Sequence, residues 1–141
     1  MKLVLLFVLC VPFWALAYPL TPEEDITSGS LCTEEDADFF EYRYEEEIPY
    51  CERNVSTSLK TRIYEEYEIP KAERKDYTID HFIPLSLGGT NQPDNLWPEH
   101  KAVKALRPNL EMQLYVALRD GKMNQEQVIK IVADKKLHPF Y

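Results

Sequence analysis

The chain of 141 residues has three cysteines and no C-x-x-C pair, which argues against a structural zinc ribbon. It has no internal repeat, and its one long apolar run falls short of the roughly 20 residues a membrane-spanning helix needs. It also lacks the basic excess of most nucleic-acid proteins, with 16 Lys and Arg against 24 Asp and Glu and a formal charge of −8. That deficit is local. From Glu23 to Glu47 there are eleven acidic residues and one basic residue, Arg43, whereas Ile48 to Tyr141 holds fourteen basic and thirteen acidic residues and is near neutral.

What is present begins with the pattern of an export signal. Lys2 precedes an apolar run from Leu3 to Leu16, and Ala15 and Ala17 bracket Leu16 as an A-x-A cleavage site. A membrane anchor is the competing reading, but the run is short and Pro12 interrupts it. Cleavage after Ala17 predicts a mature chain starting at Tyr18, secreted or periplasmic, monomeric and free of the membrane. Cys10 leaves with the signal, so Cys32 and Cys51 remain. In an oxidising compartment they predict a disulfide, with two free thiols as the alternative. Closing a ring of about 20 residues contributes roughly 3 kcal/mol in the chain-entropy model.

Residues 18–50 read as an acidic arm, interrupted by Phe39, Phe40, Tyr42 and Tyr44. Purely solvating acidic tails lack such aromatics. The part before Cys32 is expected to be poorly ordered and the part between the cysteines to pack through its aromatics. Two roles are open for it: a solvated face, or a polyanion mimic lying over a basic cleft.

Residues 51–141 read as one domain of mixed α+β class. Val55, Leu59, Ile63 and Tyr67 recur every fourth residue and predict a helix from Ser56, its cap, to about Tyr67. Asn54-Val55-Ser56 is also a glycosylation sequon. After a charged loop, Tyr77 to Pro84 reads as a strand and Asn95 to Pro98 as a second extended piece. Between them lies a turn-rich segment from Gly88 to Asp94. A helix is expected from Glu99 to about Arg107, stopped by Pro108. Two more follow: Asn109 to Asp120, and Asn124 to about Lys135, whose Asn124 and Gln127 form a capping-box pattern.

Within this order one string concentrates chemistry: Tyr77-Thr78-Ile79-Asp80-His81-Phe82-Ile83-Pro84-Leu85-Ser86-Leu87-Gly88-Gly89-Thr90-Asn91, then Asp94-Asn95-Leu96-Trp97-Pro98. It sets a carboxylate and an imidazole side by side near a strand end, with an amide returning on the second strand. Neighbours on a strand face opposite ways, so Asp80 and His81 are not both ordinary core residues. Phosphodiester hydrolysis needs a base for water, a cation for the developing charge and something to hold the base in line. Asp80 offers a hard oxygen to a magnesium-like ion, His81 titrates near neutrality, and Asn95 can bond the loop backbone.

The string resembles the HNH endonuclease family, in the bacterial form that reads roughly DHxIPLxLGGxN followed by NLWP. The resemblance is specific over residues 77–98 and extends to Cys51-Glu52-Arg53-Asn54-Val55-Ser56 and the C-terminal helices. It implies a ββα-metal finger, surrounded by further helices, that grips one divalent ion: magnesium, with manganese or zinc as alternatives. It makes His81 the general base, Asn95 the middle residue of the catalytic set that steadies the loop, and Asp80 a metal ligand. It implies an endonuclease acting on DNA, with RNA as the alternative; few base-reading elements are visible, so low sequence specificity is expected.

The sequence departs from the pattern at the last metal ligand. The family places a His about nine residues after the middle Asn, and here that position is Lys104. His100 is the substitute ligand or, equally, a first-turn surface histidine; Glu99, Asn91 and Asn109 are further oxygen donors. Lys101, Lys104 and Arg107 recur every third residue and suit phosphate contacts that position a nucleic acid, or form a solvated helix face. Two other classes of function stand beside the enzyme: a nucleic-acid-binding module that has lost catalysis, and a secreted inhibitory or structural protein acting through its acidic arm.

Overall fold

In a computed structural model of the chain, residues 19–140 are described; the segment read as an export signal and Tyr18 lie outside them. β1 (Phe39–Arg43) and β2 (Ile48–Cys51) pair antiparallel, with Phe39 opposite Cys51 and Arg43 opposite Ile48. Cys32 and Cys51 form the expected disulfide, their Cα atoms 5.8 Å apart. It fastens β2 to the chain that precedes the hairpin.

α1 (Thr57–Glu66) starts where Ser56 accepts a hydrogen bond from the Leu59 amide at 3.1 Å, and it turns Ile63 into the core. β3 (Tyr77–His81) then pairs antiparallel with β4 (Leu96–His100), in the register Tyr77 to His100, Asp80 to Trp97 and His81 to Leu96. β3 is shorter than the predicted run to Pro84. After it the chain folds into a 3₁₀ turn over Leu85–Leu87 that ends on Gly88 at φ 92°, a conformation glycine adopts without strain. Gly89 is required for a different reason, since a Cβ there would collide with the Ile83 carbonyl oxygen.

β4 is longer than expected and the helix after it is shorter. Glu99 and His100 stay extended opposite Thr78 and Tyr77, because the backbone groups of β3 need strand partners. That leaves α2 (Lys101–Lys104) as one turn, capped by the His100 ring. α3 (Leu110–Arg119) buries Leu114 and Leu118, and α4 (Gln125–Leu137) buries Val128, Val132 and Lys136. The predicted capping box of Asn124 and Gln127 is present. The described residues thus form a mixed α+β structure of four helices and two small antiparallel sheets. None of these helices is long and apolar enough to cross a membrane.

Trp97, Leu96, Ile63, Leu87, Leu114, Leu118, Val128 and Val132 meet in one core. The segment before Cys32, expected to be poorly ordered, is packed on it. Thr27 is buried, and its hydroxyl lies 2.8 Å from the Tyr67 hydroxyl and donates to the Leu96 carbonyl at 3.0 Å. Its acidic neighbours Glu23, Glu24 and Asp25 face solvent, so charge and burial alternate within one short stretch. Among the aromatics expected to anchor the arm, Tyr44 packs against the core and donates to the Ser86 carbonyl at 2.6 Å. Phe40 and Tyr42 are exposed instead.

Candidate active site

Asn95 is fully buried behind the β3–β4 hairpin. Its Oδ1 accepts from the Ile83 amide at 2.8 Å, and its Nδ2 donates to the carbonyls of Ile83 (2.9 Å) and Thr90 (2.8 Å). One side chain therefore ties both ends of the 3₁₀ and Gly88-Gly89 loop that follows His81. It touches no open surface and acts as a positioning residue. Asn95→Ala strands an amide and carbonyls in the interior, and at about 1–3 kcal/mol for such a loss the urea midpoint is expected to fall markedly. An unchanged midpoint would refute this role.

His81 is buried, with one ring edge toward a cleft of about 300 Å³ lined by Arg43, Tyr50, Arg53, Asp80, His81, Pro84, Leu85, Ser86 and Glu111. Its Nε2 lies 3.0 Å from Asn91 Oδ1. The Asn91 amide nitrogen is committed elsewhere, donating to the Glu52 carbonyl (2.7 Å) and Asp38 Oδ2 (3.1 Å). Its oxygen must therefore accept, so His81 carries its proton on Nε2 and its lone pair on Nδ1. Arg53 points a guanidinium nitrogen at that Nδ1 from 3.2 Å and donates to the Ile79 carbonyl. Burial lowers the His81 pKa, aided by Arg53 and Lys136; the Asn91 bond and Asp80 act the other way. The net effect keeps the imidazole neutral, as a base must be.

Asp80, which also lines the cleft, sits in a network of charges. Its Oδ2 lies 2.8 Å from Lys104 Nζ and 3.9 Å from Lys136 Nζ. Burial pushes its carboxyl pKa up, but the two ammonium groups outweigh this and hold it below the usual carboxylate range. Lys136 is itself fully buried, donating to the His81 carbonyl (2.6 Å) and Glu111 Oε1 (2.9 Å). Glu99, also buried, is bonded through Oε1 to Arg107; its Oε2 makes no hydrogen bond and lies 3.8 Å from Lys104 Nζ.

The predicted metal pair is not brought together. Asp80 stands opposite Trp97 while His100 stands opposite Tyr77, three residues along the strand, about 10 Å, and on the other face by alternation. His100 instead caps α2, accepting from the Ala102 amide at 3.2 Å, and its ring meets Tyr77 edge-on at 5.0 Å. Asn91 orients the base, and Asn109 is the left-handed residue at the start of α3. The oxygens of Asp80 and Glu99 already face the cations of Lys104, Lys136 and Arg107. A divalent ion about 4 Å from one ammonium would be repelled by about 8 kcal/mol at an effective dielectric near 20. The donor set therefore does not fit the one-metal site that the resemblance implies. Cys32, Asp36 and Cys51 also converge, but both sulfurs are joined in the disulfide and a metal takes thiolate.

No family profile, curated protein or solved structure matches this chain. Its own side chains also revise the expected nucleic-acid contacts. Arg107 is buried against Glu99 and Lys101 donates to the Lys75 carbonyl, so the three form no free stripe, while Lys104, paired with Asp80, keeps a half-exposed side chain. The cleft draws its positive charge from Arg43 and Arg53. The acidic segment thus supplies Arg43 and Tyr50 to the cleft wall. Sequence reading assigned no role to Arg53, Lys136 or Glu111. Lys136 did leave a signal: it continues the four-residue spacing of Val128 and Val132, which places a lysine on an apolar face.

Proposed function

We propose that this protein is a secreted HNH-type nuclease that hydrolyses phosphodiester bonds of DNA, with RNA as the alternative substrate, and with low sequence specificity. In this reading β3, β4 and α2 are the ββα finger of the family. The observation that carries it is a buried imidazole held through Nε2 by Asn91, beside a cleft lined by two arginines, Arg43 and Arg53. Arg53 and Arg43 bind the phosphate and set its phosphorus above His81. As Arg53 turns from Nδ1 to the phosphate, the freed Nδ1 takes a proton from water, the water oxygen bonds to phosphorus, and the bond to the 3′ oxygen breaks with a proton passing to that oxygen, leaving a 5′ phosphate. Asn91 holds the ring throughout. Few groups are placed to read base edges, in keeping with contacts that position without specifying sequence.

The test is cleavage of plasmid DNA and of RNA by residues 18–141, with magnesium, with manganese and with EDTA. Folded protein that cleaves neither under any condition overturns the reading; binding without cleavage would favour the inactive binding module. The pH dependence of kcat/KM adds a sharper check. Because His81's pKa is lowered, the base stays free below the ordinary histidine value of about 6.5, and the acid limb is expected there. Arg53→Gln removes a positive neighbour that disfavours imidazolium, so the limb should move to higher pH. A limb unmoved by this change would show that His81 is not the titrating base.

A further inference from the structure

The place nine residues after Asn95, which holds a metal-binding His in the family pattern, is filled by Lys104. The fold carries Lys104 to Asp80, the other residue that the resemblance marks as a ligand, with Nζ 2.8 Å from Oδ2. The same nitrogen lies 3.8 Å from the otherwise unbonded, buried Glu99 Oε2. Its side chain is half exposed, so the ammonium sits between two carboxylates and open solvent, beside the wall that Asp80 contributes to the cleft. We infer that Lys104 is the cation of this site: its ammonium takes the position and electrostatic role that a divalent ion has in the family, and the protein works without bound metal.

The inference rests on the nuclease reading for its catalytic part. There the ammonium neutralises charge developing on the phosphate and gives a proton to the departing 3′ oxygen, while His81 receives the proton from water. Solvent then restores both groups, so the balance closes without a co-reactant. The structural part concerns only which cation stands beside Asp80, and it is readable without turnover.

The experiment is titration of the purified mature chain with zinc, manganese and magnesium by calorimetry, beside Lys104→His and the double variant Lys104→His with Asp80→Asn. The wild type is expected to show no saturable site, and any cleavage is expected to survive EDTA. Lys104→His should gain one zinc site per chain, and the double variant should lose it. Saturable binding by the wild type that Asp80→Asn abolishes would overturn the inference, as would cleavage abolished by EDTA. A folded Lys104→His that gains no site would show that residue 104 does not stand in the cation position. The wild-type titration decides independently if the variants fail to fold, as circular dichroism would reveal. A chain that binds no metal and cleaves nothing would sink the nuclease reading while leaving the cation assignment intact.

Discussion

Replacing His81 with alanine is expected to lower phosphodiester cleavage by about 10²–10⁴-fold, the usual worth of a positioned general base. The cleft would keep Arg43 and Arg53, so substrate affinity should change far less than turnover, and the loss should appear in kcat. Every group around the ring serves one geometry. Asn91 fixes Nε2 as the donor, Arg53 fixes the ring edge, and the Lys136 bond to the His81 carbonyl holds the backbone beneath it. No other histidine can substitute: His100 caps α2, and His138 lies on the surface beside Asp134. Single-turnover rates at saturating plasmid concentration, with a thermal melt to confirm folding, measure the effect. Retention of most activity in a folded His81→Ala chain would remove the proposed mechanism.

The largest stability loss is expected at Lys136. Its ammonium is fully buried, and removing one partner of a buried ion pair typically costs about 3–5 kcal/mol. The lower end applies here, because Glu111 is part exposed and can turn to water, while Asp80 retains Lys104. What cannot be resolvated is the His81 carbonyl at 2.6 Å. Lys136→Met keeps the stem volume and deletes the charge. At a urea slope of about 1.5 kcal/mol per molar, a loss near 3 kcal/mol moves the midpoint down by about 2 M. That is a large part of the total stability of a domain this size, about 5–15 kcal/mol. A shift below about 0.5 M would mean that Lys136 contributes only packing.

Much of the architecture was legible because its signals are local. Ser56, the Asn124–Gln127 box and the Gly88-Gly89 turn each act over a few residues, and the elements they delimit are present. The exception is instructive: Leu96–His100 carries no alternation that separates a buried strand from a helix start, and only the pairing needs of β3 decide it. Asp80, His81 and Asn95 could be picked out together because they lie in one short string. Arg53 and Lys136 reach His81 from 28 and 55 residues away, and no spacing rule announces such convergence. Asn91 was visible as a polar donor, but its role depends on where Glu52 and Asp38 sit, which only the fold supplies.

The Cys32–Cys51 bond is joined to the imidazole by a very short chain of contacts. Cys51 is followed by Glu52, whose carbonyl fixes the Asn91 amide, which in turn fixes the proton on His81. The next residue, Arg53, faces the ring's other nitrogen. Closure of the sulfur bridge favours the folded chain by roughly 3 kcal/mol, and with it the backbone placement on which both imidazole nitrogens depend. The sulfur bridge and the ring held by Asn91 and Arg53 are thus joined through three consecutive residues, Cys51 to Arg53.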